Sequence, residues 1–128
     1  MTNPSTLSGP DLSVKVAELR GWHWDHPPGY FAPRWFNHGG KPQCAVGDYR
    51  PDRDIGQAME LIGDNTHWAS ASLLESSTGP FGAHFSLQFC GGEGGTHRAM
   101  AWGNTPAEAL ARAICEAWVM AMEKAKGD

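Results

Sequence analysis

Residues 105–124, TPAEALARAICEAWVMAMEK, decide how this chain folds. Thr105 with Glu108 three positions on is a capping box: the Thr hydroxyl accepts from the Glu108 N–H, and the Glu side chain reaches back to the N–H of Thr105. Pro106 sits where a missing N–H costs nothing. Leu110, Ile114, Ala117, Trp118, Ala121 and Met122 recur at helical spacing, so one apolar stripe needs a partner surface. Lys124 and Lys126 suit the negative end of the helix dipole, and Gly127 is the expected stop. A helix of about 20 residues is about 30 Å long and spans a small sheet. Burial of a residue such as Ile114 contributes roughly 1.5–3 kcal/mol, so this helix is expected to anchor the core.

The surface it covers is expected immediately upstream. In Ala83–Phe89, Phe85, Leu87 and Phe89 alternate with His84, Ser86 and Gln88, the pattern of a half-buried antiparallel strand. His67–Leu74 and His97–Trp102 read as its neighbours, joined through ESSTGPFG and CGGEGGT, both turn-rich and short enough for hairpins. Before the strands, Asp52 or Asp54 can cap a helix with Ile55, Ala58, Met59 and Ile62 on its apolar face, ended by Gly63, with Asp64-Asn65 making the turn. Near the start of the chain, Asp11 is a candidate cap for Leu12, Val16 and Leu19, with Gly21 as the stop. The expected fold is therefore α+β: an antiparallel sheet of three to five strands layered with helices at 11–20, 54–62 and 105–124.

Two segments fall outside this regularity. Residues 1–10, MTNPSTLSGP, are expected as a mobile arm ahead of a single domain at 11–128. Residues 22–50 carry prolines at 27, 28, 33 and 42 and form a long excursion, with short strands expected near Arg34–Phe36 and Cys44–Val46.

Composition bounds the rest. One domain fits 128 residues, and a net charge of −4 argues against bulk electrostatic binding of nucleic acid. No apolar run approaches a membrane span and no signal peptide is visible, so the reading is cytoplasmic. Three cysteines, Cys44, Cys90 and Cys115, suit reduced thiols, with Cys115 as a small buried hydrophobe.

Val16-Ala17-Glu18 with Gly21-Trp22, Asp54-Ile55 with Ala58 and Ile62, and AICEA at Ala113–Ala117 follow one another in a spacing that resembles the small phage proteins of the phage ABA sandwich domain family. The resemblance spans about residues 12–122. Tyr49-Arg50-Pro51-Asp52-Arg53-Asp54-Ile55 departs from the family's Tyr-Ser-Thr-Asp-Ile lead-in, and the 22–49 segment is richer in His, Pro and Trp. The resemblance implies a phage or prophage origin and a place in the cytoplasm of a bacterial host cell, and it brings no catalytic residues.

Chemistry-bearing residues are scattered. His23, His26, His38 and Cys44 lack the paired spacing of a zinc site, so no metal or cofactor is expected. Gly91–Gly95 lacks the Lys-Ser/Thr of a phosphate loop and reads as a hairpin tip. His84 and His97 flank that hairpin with Glu93 at its tip and Ser70, Ser72 and Ser86 nearby, the basis of a small-hydrolase alternative that no motif supports. The aromatic excursion draws most attention. Trp22, His23, Trp24, Tyr30, Arg34 and Trp35, with Arg50 and Arg53, form a candidate ligand-binding set, since aromatic faces with Arg can stack a base and hold a phosphate. The same rings can instead cover a sheet or form an interface. The leading expectation is a non-enzymatic phage accessory protein that binds, as a homo-oligomer or to a host protein. The alternative is a counter-defence protein that sequesters a small nucleotide.

Overall fold

The computed structural model describes residues 3–63, 66–74, 80–89 and 95–125. Expectations for Asp64-Asn65, Cys90, Gly91–Gly94 with Glu93, Lys126 and Gly127 lie outside the described residues. In chain order the elements are α1 (Gly9–Leu19), β1 (His23–Asp25), β2 (Arg34–Phe36), β3 (Pro42–Ala45), α2 (Ile55–Met59), β4 (Thr66–Leu74), β5 (Phe81–Phe89), β6 (His97–Gly103) and α3 (Pro106–Ala125). Short 3-10 turns occupy Pro4–Thr6 and Val46–Asp48. The strands form two antiparallel three-stranded sheets, β1-β2-β3 and β4-β5-β6, and the fold is α+β as the sequence pattern indicates.

The α3 cap forms with one shift. Thr105 Oγ1 accepts from the Glu108 N–H at 3.1 Å, but the Glu108 carboxylate reaches past Thr105 to the N–H of Asn104 at 3.2 Å. Burial is wider than a stripe. Ala111, Ala113, Ile114, Cys115, Ala117, Trp118, Val119 and Ala121 are all buried, whereas Leu110 and Met122 are half-buried. A helix buried this widely belongs between two layers, and α3 packs on β5 and β6 and also against α1 and α2, with Glu116 and Glu123 as polar residues among the buried ones and Arg112 half-buried.

Of the other helices, α1 starts earlier than expected and α2 starts at an expected cap but ends early. α1 begins at Gly9 and is capped by Ser8, whose Oγ accepts from the Asp11 N–H; Asp11 lies inside the first turn, where its charge suits the dipole. Gly21, at φ +84°, ends it as expected. α2 is shorter than 54–62: Asp54 caps it, it runs only Ile55–Met59, and Leu61 is buried in the turn that follows. Asp52 is no cap. It accepts from Ser13 Oγ at 2.6 Å and from Arg50 Nε and Nη2 at 2.7 and 2.9 Å, a buried clasp between α1 and the approach to α2.

Residues 3–8, expected as a mobile arm, lie against α3. Pro4 is buried, and Arg112 Nη2 donates to the Leu7 carbonyl at 2.6 Å while its Nε holds Glu116 at 2.7 Å. The carbonyls of this segment thus complete the coordination of a half-buried guanidinium.

Candidate functional site

The aromatic set of the excursion is divided by the fold. Trp35, on β2, is 1 % exposed and belongs to the core. Trp22 packs on Tyr49, ring centroids 4.8 Å apart, with the Arg20 guanidinium 4.3 Å over its ring and Arg20 Nη1 donating to Tyr49 Oη at 3.0 Å. These groups tie the small sheet to the end of α1. His23 stacks on Phe36, Tyr30 meets Phe36 edge-on, and Arg34 lies over Tyr30 while donating to the Gln43 carbonyl. Arg50 is committed to Asp52, and Arg53 is exposed at the start of the α2 turn.

Of the eight residues, Trp24 and Trp35 meet in one depression of about 240 Å³, with Val14, Pro33 and Val46 completing an apolar lining. No cation of the set reaches it. The arrangement offers a shallow greasy groove and no phosphate partner.

A larger open surface lies elsewhere. Phe85, Leu87 and Phe89 face α3, so the alternate residues of the same sheet face away from all three helices. The register builds that outer face in rows: Trp68 opposite Gln88; Ser70, Ser86 and Arg98; Ser72, His84 and Met100; Leu74, Gly82 and Trp102. The middle is a depression of about 350 Å³ whose polar lining is Ser70, Ser72, His84, Ser86 and Arg98. Arg98 and His84 are the ionisable groups of these rows, and no carboxylate stands among them.

Both indoles are held in place. Trp68 Nε1 donates to Gln88 Oε1 at 2.7 Å. The Trp102 ring covers Gly82, where a Cβ would stand 2.7 Å from ring atom Cζ3, so glycine at that position lets the ring lie on the backbone. Trp102 nevertheless remains 51 % exposed, with its other side to solvent.

The register also separates the histidine pair. His84 pairs with Met100 on the outer face, whereas His97 pairs with Leu87 on the inner face. They do not confront each other across strands, because one residue of parity divides them. Burial and the charge of Lys124 push the His97 imidazole below its ordinary pKa. Burial raises both described thiols, Cys44 and Cys115, away from reactive thiolate. Among the described residues, no three His, Cys, Asp or Glu side chains gather as a metal site, and no helix is long and apolar enough to cross a membrane.

Trp68, Arg98 and Trp102 were not singled out from the sequence as a site. Their signal was present as parity: each falls on the same alternation as His84, Ser86 and Gln88 once the hairpin register is known. Searches against family models, curated proteins and solved structures return no match to this chain.

The second unsatisfied feature is the edge strand. Every residue of β4 from His67 to Leu74 is exposed, including Ala69, Ala71 and Leu73 on the inner side, with Leu73 at 55 %. α3 lies under β5 and β6 and only grazes β4. Beneath β4 a groove of about 340 Å³ runs between Met59, Ile62, Phe85, Leu110 and Ile114.

Proposed function

We propose that the protein acts by binding, without catalysis of its own, as a homo-oligomer in which β4 pairs with β4 of a second copy. One observation carries this reading: β4 is a nine-residue edge strand exposed on both sides. Its sequence, THWASASLL, contains no proline and no Lys, Arg, Asp or Glu, the devices that normally protect an edge. The chain as a whole carries −4, so an uncharged edge is where two like-charged copies approach with least repulsion.

Antiparallel pairing about a twofold axis at Ala71 sets Trp68 opposite the partner's Leu74 and Ala69 opposite the partner's Leu73. Small residues then occupy the centre and large ones the ends. The groove under β4 would be covered from the other copy, removing Leu73 and Met59 from water.

Light scattering on the eluting protein tests this. The intact chain should run as a dimer, and Ala71→Lys should run as a monomer with unchanged circular dichroism. A monomeric intact chain at high micromolar concentration would sink the proposal. An Ala71→Lys dimer would move the interface away from β4.

The assignment to phage or prophage accessory proteins rests on the three ordered sub-motifs at residues 16–22, 54–62 and 113–117. Absence of catalysis is supported by the parity that sends His84 and His97 to opposite faces.

A further inference from the structure

The outer face of the β4-β5-β6 sheet carries chemistry beyond the β4 edge: Arg98, His84 and Trp102 lie on β5 and β6, and Trp68 alone borders the proposed pairing. We propose that this face binds single-stranded nucleic acid, with Trp102 and Trp68 as platforms for bases and Arg98 as a phosphate contact. The proposal does not depend on the oligomeric state.

Three features argue for this occupant. First, the indoles are fixed before any ligand arrives: one rests on the Gly82 backbone and the other is held through Gln88 Oε1. A ring with one side spent on the protein and the other open can stack any base, because every base has a π-face. Second, the platforms stand apart. Their partners on β5, Gly82 and Gln88, are separated by the length of strand from 82 to 88, about 20 Å at 3.3 Å per residue. A single nucleoside cannot touch both, whereas a short strand lying across the face can. Third, the space between them holds hydrogen-bonding groups beside Met100 and Ala71: the hydroxyls of Ser70, Ser72 and Ser86, the imidazole of His84 and the guanidinium of Arg98.

A protein partner would favour a contiguous apolar centre with a polar rim. Here the large rings stand at the two ends, and the centre, Met100 apart, is built of hydrogen-bonding groups, which suits a sugar-phosphate backbone between stacked bases. Charge agrees locally. Arg98 and His84 stand on this face without a carboxylate among its described residues, while the chain as a whole is negative. Antiparallel sheets that present aromatic side chains to solvent use this geometry to read unpaired bases.

Fluorescence anisotropy with labelled oligothymidylate and oligouridylate at low salt is the test. Binding of either, displaced by unlabelled single strand and weakened by salt, is expected. Trp102→Ala and Trp68→Ala should each weaken it roughly tenfold, since stacking on one aromatic ring is worth a factor of about 5 to 150. Trp102→Phe, which keeps a ring over Gly82, should retain most of the affinity and separates lost stacking from lost fold. Arg98→Gln should flatten the salt dependence by about one phosphate. Failure of both oligonucleotides to bind at low salt would overturn the proposal. So would equal affinity for duplex DNA, saturation by AMP with the affinity of the oligonucleotide, or unchanged binding in both Trp→Ala variants.

Discussion

Asp52 shows how much of this structure rests on one carboxylate. Burial pushes its pKa up, but hydrogen bonds from Arg50 and Ser13 and the charge of Arg50 outweigh it, and the carboxyl titrates below its ordinary value. A depressed folded pKa means that the stabilisation is fully present above the unfolded value, about 3.9, and is lost as pH falls through the lower folded value. Urea unfolding should therefore show stability falling below about pH 4, and Asp52→Asn should flatten that fall. At neutral pH Asp52→Asn should cost about 2–3 kcal/mol, since the Arg50 guanidinium loses its ionic partner inside a half-buried site. Gly9 belongs to the same clasp. A Cβ there would lie 2.9 Å from Arg50 Nη2 and closer still to Asp52 Oδ2, so Gly9→Ala should cost about 1–3 kcal/mol in the same urea titration. None of this was legible in the sequence, where Ser13 and Asp52 are 39 residues apart and Asp11 offers a more obvious cap. A cap is a local pattern, whereas a clasp exists only after the chain has folded back.

At the scale of elements, the sequence carried the three helices and the three long strands, because their periodicities and caps are local. Thr105→Ala should cost about 1 kcal/mol, read as a lower urea midpoint at unchanged slope, because the Glu108 N–H loses its acceptor. What the periodicity missed is that α3 is buried all round. Ala117 and Ala121 belong to the expected stripe, but Ala109, Ala111 and Ala113 read as neutral filler outside it, and all five are buried. Their small size lets the sheet on one side and α1 and α2 on the other approach the helix closely. Ala113→Leu and Ala117→Leu should each destabilise by about 1–3 kcal/mol through overpacking, although leucine is nearly as good a helix former in solution. A lowered thermal midpoint with unchanged helicity in the isolated α3 peptide would distinguish packing from propensity. The excursion was legible as aromatic and irregular, and β2 was found, but the destinations of its rings were not. Trp24 and Trp35 stand directly opposite each other and share one face of the small sheet, yet Trp35, on the central strand, is buried and Trp24, on the edge strand, is exposed; that difference comes from strand order, which no local pattern carries.

At the scale of the molecule, the unused surface lies together on β4 and the outer face of its sheet. The alternation in β5 indicated one polar face, so an uncovered sheet was readable there; β4, written in alanine and serine, carries too little contrast to show either its face or its edge. If β4 pairs with its counterpart, two three-stranded sheets become one continuous sheet, and their outer faces join. Folding and association are then linked: the thermal midpoint of the intact chain should rise with protein concentration, while that of Ala71→Lys should not. The position of the axis can be checked separately. Ala71→Cys places a thiol opposite its own copy, at the Cβ spacing of a directly facing pair, about 4.5–5.5 Å, close enough for a disulfide after a small adjustment. In a Cys90→Ser background, mild oxidation should give a covalent dimer on a non-reducing gel that Cys90→Ser alone does not give, since Cys115 is buried and Cys44 half-buried. An Ala71→Cys protein that stays dimeric by light scattering yet fails to cross-link would keep the β4 edge but shift the register, and with it the pairing of Trp68 against Leu74. Register matters beyond the interface: it fixes how far apart the two copies of Trp102 stand across the joined face.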